Sequence, residues 1–229
     1  MEKMNYVMEY PKIQTMFKRD SLTKKIIEGE WTLEAFEYLK NNEWIFTEKI
    51  DGTNMRIFYD GFGRVELRGR TNNANLQPNI VKAMEHYTSQ DMIDKIRSMF
   101  DDSAVIIFGE GYGKGVQKNG EQYLPESCSF VGFDIYKATS LEDYGFGISS
   151  DGYWLNRTEL ENVSKELDMP IVPVRASRTL NEAIGMVKSG IKSLWGDFTA
   201  EGLVGTPKCG LYNNFGHRVI TKIKHKDFK

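Results

Sequence analysis

The chain has 229 residues, 40% of them hydrophobic and 12% aromatic, enough to supply a substantial core. Thirty basic against 32 acidic residues leave a formal charge of −2, which argues against nonspecific coating of nucleic acid and sends any polyanion to a local basic patch. Apolar runs such as AVIIF at 104–108 fall far short of the ~20 residues of a membrane helix, and the start MEKMNYVMEYPK has no apolar signal core.

No repeat, low-complexity tract or long linker divides the chain, so a single domain over 1–229 is expected, with residues 1–46 as a helical and extended segment packed on it. Residues Ser21 to Leu39 carry helical spacing, and EWIFTEKI then reads as a strand. NMRIFYD and RVELRGR flank a Gly-containing turn at Gly61–Gly63, which predicts a hairpin. IVKAMEHYTSQDMIDKIRSMF predicts one or two helices, followed by the buried-strand candidate AVIIFGE and by SFVGFDIY. Capping boxes at Thr158 with Glu161 and at Thr179 with Glu182 announce two later helices, and EGLVG and RVITKIK close the chain as strands. The pattern is α+β, antiparallel sheets flanked by helices, more than a doubly wound parallel fold.

Cys128 and Cys209 show no metal-ligand pairing, and three scattered histidines complete no zinc site, so both cysteines read as reduced thiols in a cytoplasmic setting. The glycine-rich GEGYGKG at 109–115 fits neither the dinucleotide nor the P-loop spacing, but it places Glu110 at the end of an apolar strand where a ligand can approach closely. TEKIDGTN at 47–54 raises Lys49 as a nucleophile. A lysine attacks phosphorus only as the neutral amine, and a free pKa of ~10.4 leaves about one in 2,500 neutral at pH 7, a handicap of roughly 4.6 kcal/mol. Nearby cations relieve it while neutralising the attacked phosphate. Lys222 and Lys224, two apart on a strand, share a face and suit a phosphate clamp. Phe133 could stack on a base, with Asp134 on the opposite face, and Glu201 could hold water on a magnesium ion.

In order, KIDG at 49–52, RGRT at 68–71, FGEGYG at 108–113, SFVGFDIY at 129–136, EGLVG at 201–205 and KIK at 222–224 resemble the collinear motifs of the covalent lysyl-nucleotidyltransferases, the ATP-dependent RNA and DNA ligases and mRNA capping enzymes. TEKIDGTN looks most like the type-2, phage-like RNA ligases, although Asp51 stands where many of these have histidine and DNA ligases have aspartate. Only HKDFK follows Lys224, too little for the OB-fold that DNA ligases and capping enzymes carry there. The resemblance therefore implies a minimal RNA ligase, an ATP-grasp-like adenylyltransferase domain without an OB-fold, whose recognition of RNA ends is weak or comes from a protein partner. A DNA nick ligase and an inactive ATP- or RNA-binding homologue are the alternatives.

By that resemblance Lys49 attacks the ATP α-phosphorus, holds AMP, and passes it to an RNA 5′-phosphate that a 3′-hydroxyl then attacks. Glu48 would read the adenine amino edge, Phe133 would stack on the base, and Arg70 would contact the ribose or the nucleic-acid end. Ile50 and Asn54 belong to the nucleotide pocket, and Lys222 and Lys224 hold phosphates. Asp51, Glu110 and Glu201 would orient the ribose or water-shelled Mg²⁺ or Mn²⁺.

Overall fold

The computed structural model describes residues 7–138 and 152–229. In chain order it has β1 (Gln14–Thr15), β2 (Phe17–Arg19), β3 (Ile26–Trp31), α1 (Glu34–Tyr38), β4 (Trp44–Lys49), β5 (Thr53–Tyr59) and β6 (Val65–Gly69). Then come α2 (Pro78–Met84), a 3₁₀ turn, α3 (Gln90–Phe100), β7 (Ala104–Gly113), α4 (Gly120–Tyr123), β8 (Cys128–Ala138) and β9 (Tyr153–Trp154). After these come α5 (Arg157–Glu166), β10 (Val174–Arg178), α6 (Leu180–Ser189), β11 (Gly202–Pro207) and β12 (Thr221–Lys224), followed by a 3₁₀ turn over His225–Phe228.

These elements group into two compact units, one of residues 1–10 and 51–172, the other of residues 11–50 and 173–229. The first contains a five-stranded antiparallel sheet in the order β6-β5-β7-β8-β9. α2, α3 and α5 cover one of its faces through Ile80, Met84, Ile96, Leu160 and Val163. Val7 and Met8 pack with Phe58, Ile106 and Phe108 on the other. Alternation along β5 and β7 sends successive side chains to these two cores, which is why both strands read as continuous apolar runs.

The second unit contains a five-stranded sheet, β1-β12-β11-β4-β10, and the β2-β3 pair. β1 and β12 run parallel, and the other strand pairs of this unit are antiparallel. Trp44, Phe46, Leu203 and Ile223 project from the sheet onto Phe36, Leu180, Ala183 and Val187 of the helices. Among the described residues no helix is long and apolar enough to cross a membrane.

Two local expectations are corrected. The segment Ser21–Leu39 is a strand, β3, and a five-residue helix, not one helix. Gly29 at φ 88° suits a left-handed position that interrupts any helix, and Trp31 packs on Phe17 across the strand pair with ring centroids 5.0 Å apart. The first capping box lies two residues earlier than expected: Asn156, not Thr158, caps α5, and Glu159 answers it. An asparagine competes well for the cap and leaves Thr158 inside the first turn. The box of Thr179 with Glu182 forms as expected.

Candidate active site

Along β4, Trp44, Phe46 and Glu48 are buried while Ile45, Thr47 and Lys49 are half-buried, so Lys49 leaves the strand on the side opposite the core. β11 lies between β4 and β12, and its first residue, Gly202, registers with both Lys49 and Lys224. That row brings three charges together. Lys49 Nζ donates to Glu201 Oε2 at 2.7 Å, and Lys224 Nζ donates to Glu201 Oε1 at 2.6 Å. Glu201 thus bridges two ammonium groups whose side chains are 21% and 19% exposed, its own being 14% exposed. Lys49 also reaches the Ile50 carbonyl at 3.4 Å. Gly202 makes the row possible, because a Cβ there would stand 1.9 Å from the Ile223 carbonyl oxygen and force β12 away. Lys222 and Lys224 are the half-buried residues of β12, alternating with buried Thr221 and Ile223, so the pair shares a face as the spacing predicts.

Burial of Glu201 works to raise its pKa, but the charge of Lys49 and the hydrogen bonds from Lys224 and Lys49 outweigh it and hold the carboxyl below its ordinary value of 4.5. A carboxylate with a depressed folded-state pKa adds stability that is complete above the unfolded value and is lost as pH falls through the folded one. Wild-type protein is therefore expected to exceed Glu201→Gln by about 1–3 kcal/mol at pH 7, and the margin should shrink below pH ~4.5. Urea titrations of both proteins at several pH values check this, and a margin that does not change with pH would refute it.

Glu48 lies on the other face of β4. It faces the Trp44 and Phe46 side of β4, away from Lys49, and its side chain is fully buried. Its carboxylate accepts from the Ser193 hydroxyl at 2.5 Å and from the Leu194 N–H at 2.8 Å, with an Arg175 guanidinium nitrogen 3.9 Å away. Arg175 reaches it because β10 carries a bulge: Val174 pairs with Thr47 and Ala176 with Phe46, leaving Arg175 unpaired in the ladder. The guanidinium also donates to the Lys192 carbonyl at 2.5 Å. Glu48 is thus the post around which the loop from Lys192 to Thr199 folds.

In the first unit, Asp51 receives Asn119 Nδ2 at 3.2 Å, and its N–H donates to the Tyr123 hydroxyl at 3.2 Å. Gly52 permits this, since a Cβ there would meet the Gly111 carbonyl oxygen at 2.3 Å. Asn54 registers with Glu110 across β5 and β7, and Asn54 Oδ1 is buried with no hydrogen-bond partner among the described residues. An orphaned acceptor costs about 1–3 kcal/mol unless a donor arrives, which suits a ligand position beside Glu110. Arg70 is exposed just beyond β6. Phe133 is half-buried, with Tyr10 edge-on at 5.0 Å. The expectation that Asp134 points away from Phe133 is corrected by a second bulge: Gly109 pairs with Gly132 and Phe108 with Asp134, so Phe133 is the extra residue. Tyr10 consequently touches both, its ring against Phe133 and its hydroxyl on Asp134.

An RNA ligase family model matches residues 42–224, which include both groups of residues. The chain belongs to the RNA ligase family. Its fold is similar to solved structures of Naegleria gruberi RNA ligase. The structure with PPi has a TM-score of 0.61 at 19% sequence identity and covers 94% of this chain and 61% of that one. An apo variant of that protein has a TM-score of 0.61 at 17% identity, covering 97% of this chain and 59% of that one. A further variant, solved with AMP and Mn, has a TM-score of 0.59 at 17% identity, covering 96% and 58%. The chain thus spans about 60% of the length of these ligases. No curated protein sequence matches it.

For a member of the RNA ligase family, the question of a resident metal arises at Asp51, Glu110 and Glu201. Among the described residues no group of three or more carboxylate, histidine or cysteine side chains could hold a metal ion. Both Glu201 oxygens already serve ammonium groups, so a cation there would have to displace two lysines. Reading the sequence missed Arg175 and Ser193. The two-residue alternation rule fails at a bulge, and a serine 145 positions from its carboxylate gives no local signal.

Proposed function

We propose that this chain is an ATP-dependent RNA ligase that joins RNA 3′-hydroxyl and 5′-phosphate ends through AMP held on Lys49. The observation that carries the proposal is one carboxylate, Glu201, shared by the ammonium groups of Lys49 and Lys224 at the end of β4. Paired in this way, Lys49 rests as the ammonium ion and is not yet nucleophilic. When the phosphates of ATP, entering as its Mg²⁺ or Mn²⁺ complex, attract Lys224, Glu201 loses one of its two cations and becomes the better base for the Lys49 proton. Nζ then forms a bond to the α-phosphorus, the bond to the β-phosphate oxygen breaks, and pyrophosphate leaves. AMP passes to an RNA 5′-phosphate, and attack by a 3′-hydroxyl forms the phosphodiester and releases AMP.

The remaining roles follow from the motif match. Lys222 joins Lys224 on phosphate. Asn54 and Glu110 serve the ribose, with Asp51 beside them, Phe133 offers a face for the base, and Arg70 meets the RNA end. Glu48 is a positioning residue for the loop after α6. Both cysteines are free thiols, which suits the reducing cytoplasm.

Incubation with ATP labelled at the α-phosphate tests the proposal. Label is expected on the protein, to be discharged as ATP by added pyrophosphate and transferred to 5′-phosphorylated RNA, followed by sealing. Absence of label on the wild-type chain would sink the proposal, and sealing confined to DNA ends would overturn the choice of RNA.

A further inference from the structure

Residues 202–226 contain Lys208, Arg218, Lys222, Lys224 and Lys226, with His217 and His225, and not one aspartate or glutamate, in a chain that has 32 acids. The later part of this run is β12, already used above. The earlier part, between β11 and β12, forms a hairpin arm that the ligase mechanism leaves without a task.

The arm is well organised. Tyr212 and Arg218 face each other in an antiparallel bridge, and the Val219 N–H donates to the Leu211 carbonyl at 2.8 Å. Asn213 ties the tip: its N–H donates to the His217 carbonyl at 2.8 Å, and its Oδ1 accepts from the N–H groups of Phe215 at 3.0 Å and His217 at 2.9 Å. On this frame Phe215 is 77% and Tyr212 52% exposed. Phe215 on this braced loop buries little of its ring in the fold and presents it to a partner outside the chain.

Two aromatic faces interleaved with cationic side chains, on a segment that has no carboxylate of its own and whose Lys208 is paired with Glu43 at 2.8 Å, match the chemistry of an unpaired nucleic-acid strand. We propose that the arm from Lys208 to Val219 docks single-stranded RNA next to the end being joined. Phe215 and Tyr212 stack on successive unpaired bases, and Arg218 and His217 lie along the phosphates. Arg218 precedes Lys224 by six residues, so the arm runs into the strand that carries the Lys224 end of the Lys49–Glu201–Lys224 cluster. The inference rests on the RNA ligase reading and adds the element that grips the substrate.

The test uses the full chain and a fluorescent, 5′-phosphorylated single-stranded RNA followed by anisotropy. The double variant Tyr212→Ala/Phe215→Ala is expected to bind at least about 30-fold more weakly, as removing stacking from two bases implies. Arg218→Ala is expected to lower the slope of log affinity against log salt by about 1. Phe215→Tyr should keep its affinity while Phe215→Leu, apolar but without a π face, should lose it. Self-adenylation from ATP should be unchanged in all of them. RNA affinity unaltered in the double variant, or retained in Phe215→Leu, overturns the proposal and points to a protein partner for this arm. Failure of the ligase reading would register separately, as absence of adenylate on the wild-type chain while RNA binding still responds to these variants.

Discussion

A Lys49→Ala protein is expected to fold and to carry no covalent AMP after incubation with ATP labelled at the α-phosphate. The loss should be complete to the limit of detection, because Nζ is the atom we propose bonds to phosphorus, and Lys224 is assigned to the phosphates. Lys224 is also held by Glu201, yet it starts from β12, and its ammonium is the group assigned to phosphate. Stability should change little, by on the order of 1 kcal/mol, because Glu201 keeps Lys224 as a partner. Lys49→Arg sharpens the result. A guanidinium can preserve the ion pair with Glu201 but cannot deprotonate at working pH, so this variant should retain the wild-type melting temperature and still take up no label. Label persisting on Lys49→Ala would remove Lys49 from the mechanism.

The second large effect is expected at a residue that touches no substrate. Arg56, at the centre of β5, is fully buried. Its Nε donates to the Gly69 carbonyl at 2.8 Å, and Nη1 donates to the carbonyls of Val7 at 2.8 Å and Met8 at 2.9 Å. Asn72, 3.4 Å from Nη2, in turn accepts the Val7 N–H at 3.1 Å. The guanidinium fork therefore fastens the segment before Tyr10 onto the sheet. Arg56→Ala leaves these buried carbonyls without that donor and opens a cavity, which we expect to cost about 4 kcal/mol of unfolding free energy in a urea titration. Against a typical total of about 5–15 kcal/mol this is a large share. Arg56→Lys should recover only part of it, since a point charge cannot reproduce three fixed donor directions. Amide exchange offers a second readout: in Arg56→Ala the Val7 N–H should lose protection before the strands do. A titration showing less than about 1 kcal/mol of loss would mean that the N-terminal segment is held by its apolar contacts alone. Tyr10 touches both Phe133, which we propose faces the base, and Asp134, so loosening the segment should also blunt nucleotide affinity.

Strand positions were readable in the sequence wherever apolar and polar residues alternate without interruption. β4 shows this, with Trp44, Phe46 and Glu48 inward and Lys49 outward, and so does β12 with Lys222 and Lys224. Reading failed where the ladder is irregular. The bulges at Arg175 and Phe133 each shift the parity by one, which turned Arg175 towards Glu48 and brought Asp134 to the same aromatic neighbour as Phe133. The helix expected from Ser21 to Leu39 failed for a related reason, since Trp31 finds its partner in Phe17 across a strand pair and not along a helix face.

By itself, then, the sequence determined which residue types stand at which spacing: a lysine before an Asp-Gly turn, a glutamate before a glycine, and two lysines in alternation. These are properties of neighbours in the chain, set by backbone geometry over a few residues. Only the tertiary structure decided which of them meet. Lys49 and Glu201 are 152 positions apart and become partners because β11 registers against β4, and the choice of register depends on what the whole sheet buries. Glu48, adjacent to Lys49 in sequence, was sent to the opposite face by the same strand geometry, and the Ser193 hydroxyl and Leu194 N–H satisfy its carboxylate there.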